Sequence, residues 1–182
     1  MNLKRILIFD LEMCCWDNAS GRESNTGEII EIGICEVDTI NLEITRSAQY
    51  YVKPETDEVS AFCTELTGIT PNKIKKQGRP LVEVLNTISK KFGSSNKTFM
   101  AWGRDDQVLK NEIESKNIGF DIGEYVNLAN LYRLLYAHDK KCSQVAAMEE
   151  MGLTFEGRQH SGLVDAQNLA SLYIEMTKKQ RC

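Results

Sequence analysis

The sequence predicts a three-layer α/β domain in which helices cover a mixed β-sheet. Two observations lead to this fold class. The apolar segment Ile6–Met13 is typical of a strand that is buried on both faces. Strand-like and helix-like segments then follow in the order β-β-β-α-β-α-β-α-α-α, which is the pattern of a sheet with helices packed on it.

Three strands are predicted in the N-terminal third of the chain. After Ile6–Met13, the polar stretch Asp17–Gly27 indicates a loop. The segments Ile29–Val37 and Glu43–Val52 are rich in β-branched residues and favour strands. Turn residues at 38–41 lie between them, so these two strands are expected to form a hairpin.

The remaining elements follow from apolar spacing and from helix stop signals. Leu81, Val84, Leu85, Ile88 and Phe92 recur at helical spacing between Pro80 and Gly93. Further strands are expected at 97–103 and 125–128, and further helices at 106–116, 129–136, 143–151 and 162–178.

Length and composition bound the class of protein. A chain of 182 residues fits one domain, here taken as 1–182, with 42% hydrophobic and 26% charged residues. No run of 18 apolar residues exists, so no membrane span is expected. The apolar run near the N-terminus is five residues long and ends in Asp10, too short for the core of a signal peptide.

The cysteines indicate a reducing compartment. They lie at 14, 15, 35, 63, 142 and 182, without a CxxC pair or zinc-like spacing. Adjacent Cys14 and Cys15 would point to opposite faces of a strand and are poor partners for a disulfide. We therefore expect reduced thiols and a cytoplasmic location.

The net charge of −4, from 22 basic and 26 acidic residues, argues against a protein that coats nucleic acid by bulk electrostatics. It is compatible with an enzyme that holds a few phosphates through metal ions, because carboxylates gathered around such ions add negative charge.

The first candidate site is Asp10-Leu11-Glu12, at the end of the first predicted strand. Side chains two positions apart project from the same face of a strand, so both carboxylates point one way while Leu11 points the other. Two buried acids side by side favour a divalent cation as compensation. The alternative is a strand end that reaches solvent with two ordinary surface acids.

The second candidate site is Asp105-Asp106, where a predicted strand gives way to a helix. Asp105 lies four residues before Leu109, which would anchor the first helical turn. An acid at this position is also a good N-cap, so one of the two could cap the helix while the other binds metal.

The third candidate site pairs His160 with Asp165. On one helix, positions five apart are separated by roughly 140°, so the two side chains can converge only if His160 lies on the preceding loop. A histidine there, with a carboxylate on the first turns of the helix, would suit a general base beside a metal site. The alternative is a solvent-exposed histidine with an ordinary helix acid; His138, in a polar loop, is interpreted as a surface residue.

Five segments, in chain order, resemble the motifs of DnaQ-like DEDDh exonucleases. They are Phe9–Trp16, Glu28–Gly33, Phe62–Thr70, Trp102–Leu109 and His160–Asp165. The Cys-Trp ending of the first segment is similar to the Eri/KapD-type branch of that family. The match runs from about residue 6 to about residue 176.

This resemblance implies a ribonuclease H-like fold, with a five-stranded mixed sheet flanked by helices. It also implies that two divalent ions, Mg²⁺ or Mn²⁺, are bound by four acids and that a histidine is the general base: Asp10, Glu12, Asp105 and Asp165, with His160. Four further positions resemble those that hold the terminal nucleotide: Met13, Phe62, Leu66 and Thr67. Family spacing leaves Asp105 and Asp106 as rivals, because spacing to Leu109 favours Asp105 and spacing from Trp102 favours Asp106; Asp105 is our choice.

The function that follows is a metal-dependent 3′→5′ exonuclease acting on the free 3′ end of a nucleic acid, with RNA favoured over DNA. Hard oxygen ligands independently favour Mg²⁺ or Mn²⁺ over zinc. The alternatives are a DNA exonuclease of the proofreading or repair type and, with less support, a binding module that has lost catalysis or a nuclease-related integrase or endonuclease. The oligomeric state stays open.

Overall fold

The computed structural model describes residues 3–17 and 27–181. Five strands form one sheet: β1 (Arg5–Met13), β2 (Ile29–Asp38), β3 (Glu43–Tyr51), β4 (Phe99–Ala101) and β5 (Tyr125–Asn127). Their spatial order is β3-β2-β1-β4-β5. β1 runs antiparallel to β2 and parallel to β4, so the predicted five-stranded mixed sheet is confirmed.

Seven α-helices accompany the sheet in the described part of the chain: α1 (Ala61–Thr67), α2 (Pro71–Gln77), α3 (Leu81–Phe92), α4 (Asp105–Ser115), α5 (Leu128–Leu135), α6 (Gln144–Glu150) and α7 (Gly162–Arg181). The five predicted helices correspond to α3–α7, with ends that differ by at most three residues. Across the described ranges, no helix combines the length and the apolar character that crossing a bilayer needs.

Strand β1 lies at the centre of the sheet and is buried on both faces, as the apolar run predicted. Leu7, Phe9 and Leu11 join a core that includes the apolar stripe of α3 and residues of α4. Ile6 and Ile8 point to the opposite face and join a second core with α5, α6 and α7. Because side chains alternate along a strand, residues 10 and 12 continue the row that faces the second core.

Two helices were not predicted from the sequence, α1 and α2. Each has seven residues, which is too short to show a helical period, and each is defined by its caps. The hydroxyl of Ser60 accepts a hydrogen bond from the amide of Cys63, and Gly68 ends α1 in the left-handed conformation. Thr70 caps α2 in the same way, and Pro71 occupies its first turn.

One strand is shorter than the sequence predicted, and the predicted hairpin turn is present. Strand β4 covers 99–101 instead of 97–103, because the chain turns at 102–104 to enter α4. The expected hairpin turn is present, and the carboxylate of Asp38 accepts hydrogen bonds from the amides of Ile40 and Asn41. Most of the predicted loop at 17–27, namely 18–26, lies outside the described residues.

The cysteines at 14, 15, 35, 63 and 142 are free thiols, and Cys182 lies outside the described residues. No disulfide joins these five within the described residues, and the reduced state expected from their spacing stays a prediction. The cytoplasmic location stays a prediction.

Candidate active site

The site begins with two carboxylates at the end of β1. Asp10 and Glu12 follow Ile6 and Ile8 along one face of the strand, whereas Leu11 packs into the core on the other face. Glu12 is only 8% exposed. Both acids therefore face the helix layer that contains α7.

Helix α7 meets the sheet at this point through a backbone contact and a buried carboxylate. A Cβ atom on Gly33 of β2 would overlap the backbone of Gly162, so only a glycine at 33 lets α7 approach so closely. Glu31 is 1% exposed, and its Oε1 accepts hydrogen bonds from the amide of Leu163 at 3.0 Å and from Nε2 of Gln49 at 2.8 Å. A carboxylate at the first amides of a helix is electrostatically favourable, and here it fixes the start of α7 on the sheet.

The first turn of α7 contributes Asp165, and the loop before it contributes His160. The Oδ2 of Asp165 accepts a hydrogen bond from the amide of Ser161 at 2.9 Å, while the amide of Asp165 donates to the carbonyl of Ser161. His160 has a left-handed backbone (φ 59°) and an exposed side chain. The expected arrangement of loop histidine and helix carboxylate is present.

The second acidic pair lies in the first turn of α4. Asp105 points into the same cleft as Asp10, whereas Asp106 forms an i,i+4 ion pair with Lys110 at 3.4 Å. The turn before them is held from β5, because Tyr125 donates a hydrogen bond through its hydroxyl to the carbonyl of Gly103 at 2.7 Å, and Asn127 donates to the same oxygen through its side-chain amide.

Three of the carboxylates converge. Oxygen atoms of Asp10, Glu12 and Asp165 all lie within 4.8 Å of one another, a separation that allows a shared metal ion. Asp105 lines the same cleft, and His160 lies at its wall. The sequence-predicted acids and the histidine are thus brought together from β1, α4 and α7.

The electrostatics of the cluster favour a bound cation. Burial, followed by repulsion from Asp105 and Asp165, raises the pKa of Asp10 well above its usual range. Burial together with the neighbouring acids raises the pKa of Glu12 to about 8, and burial and Asp106 raise that of Asp105 to about 7. Burial also raises the pKa of Asp165, although the amide of Ser161 opposes this. A divalent ion would offset the repulsion that these shifts report.

The four acids open onto a cleft of about 440 Å³. Of the residues expected to hold a nucleotide, Met13 and Leu66 line this cleft. Phe62 is 41% exposed on α1 and does not line it. Thr67 is 5% exposed, and its hydroxyl is engaged locally, donating to the carbonyl of Cys63 and accepting from the amide of Ile69.

Other cleft residues were not singled out from the sequence. Trp102 lines the cleft and donates from its indole nitrogen to the carbonyl of Cys142; the sequence analysis used it only as part of a motif. Gln144 lines the cleft and donates through Nε2 to the carbonyl of Asp165. Trp102 could have been found as an aromatic residue beside an acidic site, whereas nothing in the sequence distinguishes Gln144.

Comparison with known proteins gives a consistent family assignment. The RNase T family model, described as Exonuclease, matches residues 7–173. The chain is 30% identical to ERI1 exoribonuclease 2 of Mus musculus over 95% of this chain, and 29% identical to 3′-5′ exonuclease Snipper of Drosophila melanogaster, also over 95%. It spans 28% of the mouse protein and 69% of the fly protein.

The fold is shared with a solved structure, the nuclease domain of 3′hExo, a DEDDh family member, bound to rAMP. The TM-score is 0.87 at 24% identity, over 97% of this chain and 93% of the other. The ribonuclease H-like fold and the resemblance to DEDDh exonucleases of the Eri/KapD type are thereby confirmed. Given the match over residues 7–173, the chain belongs to the RNase T family of exonucleases.

Proposed function

We propose that this chain is a metal-dependent 3′→5′ exonuclease that shortens RNA from its 3′ end and releases nucleoside 5′-monophosphates. One observation carries the proposal: Asp10, Glu12 and Asp165 meet within 4.8 Å, in a cleft that Asp105 and His160 also line. Membership of an exonuclease family supports the same class of reaction.

The carboxylates suit hard divalent ions, and we infer that four of them hold two Mg²⁺ or Mn²⁺ ions: Asp10, Glu12, Asp105 and Asp165. The choice of Asp105 over Asp106 is supported by its position in the cleft and by the ion pair that engages Asp106 with Lys110. When bound, such ions supply Lewis-acid activation of water and stabilise charge on the leaving 3′ oxygen.

His160 is the proposed general base. Its side chain is exposed at the cleft wall, two residues after Arg158 and five before Asp165. From there its imidazole can accept a proton from the attacking water, a contribution worth about 10²–10⁴-fold in rate. The chain offers one other histidine, His138, whose Nε2 instead contacts Glu150 at 3.0 Å.

The terminal nucleotide is proposed to bind between the apolar and aromatic residues of the cleft. Leu66 of α1, Met13 of β1 and Trp102 line it together with the acids. An aromatic ring that stacks on a base contributes roughly 1–3 kcal/mol without sequence preference. Phe62 is exposed one turn before Leu66 on α1. It is the proposed contact for the nucleotides that precede the terminal nucleotide of the substrate.

RNA is the favoured substrate because the mouse relative is named an exoribonuclease and the similar 3′hExo structure is bound to rAMP. DNA is the alternative, since the name of the fly relative specifies only a 3′-5′ exonuclease. The net charge of the chain is −4, so bulk charge does not select one of the two nucleic acids.

The test is digestion of matched 5′-labelled single-stranded RNA and DNA oligomers with Mg²⁺ or Mn²⁺, beside EDTA and Asp10→Ala controls. We expect a metal-dependent ladder that shortens from the 3′ end and is absent in the variant, with RNA degraded faster. DNA degraded faster would favour the alternative substrate. Cleavage of a circular single strand would identify an endonuclease and overturn the proposal.

Calorimetric titration of Mn²⁺ separates an enzyme from a module that only binds. We expect binding to the wild-type chain and its loss on Asp10→Ala. A folded chain that binds the oligomers but neither cleaves them nor binds Mn²⁺ would instead indicate a catalytically inactive nucleic-acid-binding module.

A further inference from the structure

The loop that carries His160 connects α6 to α7 and is exposed from Glu156 to His160. It is anchored at both ends by α7. At one end, Asn168 accepts from the amide of Glu156 and donates to its carbonyl, both at 2.9 Å. At the other end, Asp165 accepts from the amide of Ser161. Between these two anchors the backbone has positive φ angles at Gly157 and His160. A third restraint in this segment would help to hold the imidazole in one place.

Arg158 supplies that restraint by reaching across to another element. Its Nη2 donates to the carbonyl oxygens of Glu65 at 2.6 Å and Leu66 at 3.2 Å, in the last turn of α1. Carbonyls at a helix C-terminus lack helical partners and carry partial negative charge, so a guanidinium is a favourable partner for them. A Cβ atom on Gly68 would lie 2.5 Å from Nη1 of Arg158, so the guanidinium packs directly on the end of α1.

The two ends of this contact belong to different parts of the site. Helix α1 presents Leu66 to the cleft, where the terminal nucleotide is proposed to bind. Arg158 precedes His160 by two residues on the same loop, and His160 lines the same cleft. The contact therefore fixes the distance between the nucleotide-binding helix and the proposed base.

We propose that Arg158 is a positioning residue for this exonuclease, acting through His160 by tying the histidine loop to the C-terminus of α1. The proposal rests on the function proposed above. A misplacement of about 1 Å in a reacting group can cost on the order of 10²-fold in rate, so Arg158→Ala is expected to lower kcat by about 10- to 100-fold. The KM should rise less, because Met13, Leu66 and Trp102 remain in the cleft.

A double-mutant cycle separates this role from direct contact with the substrate. If Arg158 acts through His160, Arg158→Ala should lower the rate by less than about threefold in a His160→Ala background, where the base is already absent. If Arg158 instead bound a phosphate of the substrate, the full loss would recur in that background, and the proposal would be overturned.

A second test displaces the guanidinium of Arg158 without removing its charge, and it uses one variant and one control. Gly68→Ala should push Arg158 off α1 and lower kcat, whereas Gly93→Ala, which has a similar left-handed backbone but nothing within 4 Å of the new Cβ, controls for backbone strain. Equal kcat values for the two variants, when both are folded, would contradict the proposal.

Amide hydrogen exchange tests the anchor independently of activity. In Arg158→Ala, the amides of residues 157–160 should exchange at least tenfold faster than in the wild type, and Arg158→Lys should restore part of the protection. Unchanged amide exchange in Arg158→Ala would contradict the proposed anchor even if the chain proves to be an active nuclease. Faster exchange in a chain without metal-dependent cleavage would leave the anchor in place and overturn the proposed function instead.

Discussion

Gly33 of β2 and Gly162 of α7 are in direct backbone contact, although 129 positions separate them in the chain. The contact brings the first turn of α7 down to the sheet beside β1. Asp165 can therefore reach Asp10 and Glu12, whereas any side chain at position 33 would hold the helix away from them.

Gly33→Ala should both destabilise the chain and damage the metal site. The new Cβ would overlap backbone atoms that cannot rotate away, so we expect a loss of at least about 1–3 kcal/mol in the free energy of unfolding, the range for overpacked cores. Urea unfolding measures the loss, and Mn²⁺ titration measures the site. Gly119→Ala, with nothing within 4 Å of its Cβ, is the matched control and should change little.

Asp105→Asn and Asp106→Asn should differ sharply although the residues are neighbours. Asp105 lines the cleft, so its change should remove nearly all metal-dependent cleavage and weaken Mn²⁺ binding. Asp106 makes a partly exposed i,i+4 pair with Lys110, so its change should cost only about 0.3–0.5 kcal/mol of stability. Rates and calorimetry on both variants decide this, and the opposite ranking would transfer the metal role to Asp106.

His160→Ala should lower the rate by about 10²–10⁴-fold while Mn²⁺ binding persists, because the histidine is proposed as a base and not as a ligand. His138→Ala, which removes a histidine outside the cleft, should retain wild-type rates. Loss of Mn²⁺ binding in His160→Ala would contradict the assignment.

Leu66→Ala and Phe62→Ala test which face of α1 meets the nucleotide. Leu66 lines the cleft and Phe62 does not, so Leu66→Ala should raise KM for a short oligomer more than Phe62→Ala. Phe62 is exposed outside the cleft, so Phe62→Ala should raise KM only for the longer oligomer. Steady-state kinetics with oligomers of two lengths measures both effects; a larger effect of Phe62→Ala on the shorter oligomer would reverse the assignment.

The metal-free chain should become less stable as the pH rises from about 4 to about 8. Burial and mutual repulsion raise the pKa of Glu12 from 4.5 to about 8 and that of Asp105 from 3.8 to about 7 in the folded state. The folded state therefore binds more protons than the unfolded chain across this window, and its free energy of unfolding falls as they are released. Thermal unfolding in EDTA at pH 5.5 and pH 8 checks the sign.

A bound divalent metal ion should remove much of the pH dependence of stability. The ion replaces the protons as the partner of the carboxylates, so Mn²⁺ should raise the unfolding temperature more at pH 8 than at pH 5.5. In Asp10→Ala the metal effect should be absent, because one of the converging ligands is gone. Equal stabilisation of the variant would contradict the proposed ligand set.

Much of this fold could be predicted because its central elements leave a strong local pattern. The apolar run of β1 and the stripe of α3 each reflect burial that the sequence records directly. The acids were recognisable because Asp10, Glu12, Asp105 and Asp165 fall at the ends of predicted elements. Their convergence followed from the expected topology and not from any local signal.

The features that the sequence did not predict depend largely on contacts between residues that are distant in the chain. Glu31 lies within a strand that is otherwise apolar around it, and its role is defined by the amide of Leu163, 132 positions later. Helices α1 and α2 depend on capping hydroxyls at Ser60 and Thr70 rather than on a period. The position of Arg158 on α1 is likewise a tertiary contact that no spacing predicts.

The proposed ligands are spread along the fold, from Asp10 on β1, the first element, to Asp165 on α7, the last described element, 155 positions later. During synthesis, strands β1 to β3 can pair as a meander long before α7 leaves the ribosome, but the cluster of acids cannot exist until it does. Closing so long a loop late favours slow folding and makes the acidic cleft one of the last features to form. A nascent chain would thus be unable to hold the proposed ions until nearly the whole described fold has been made.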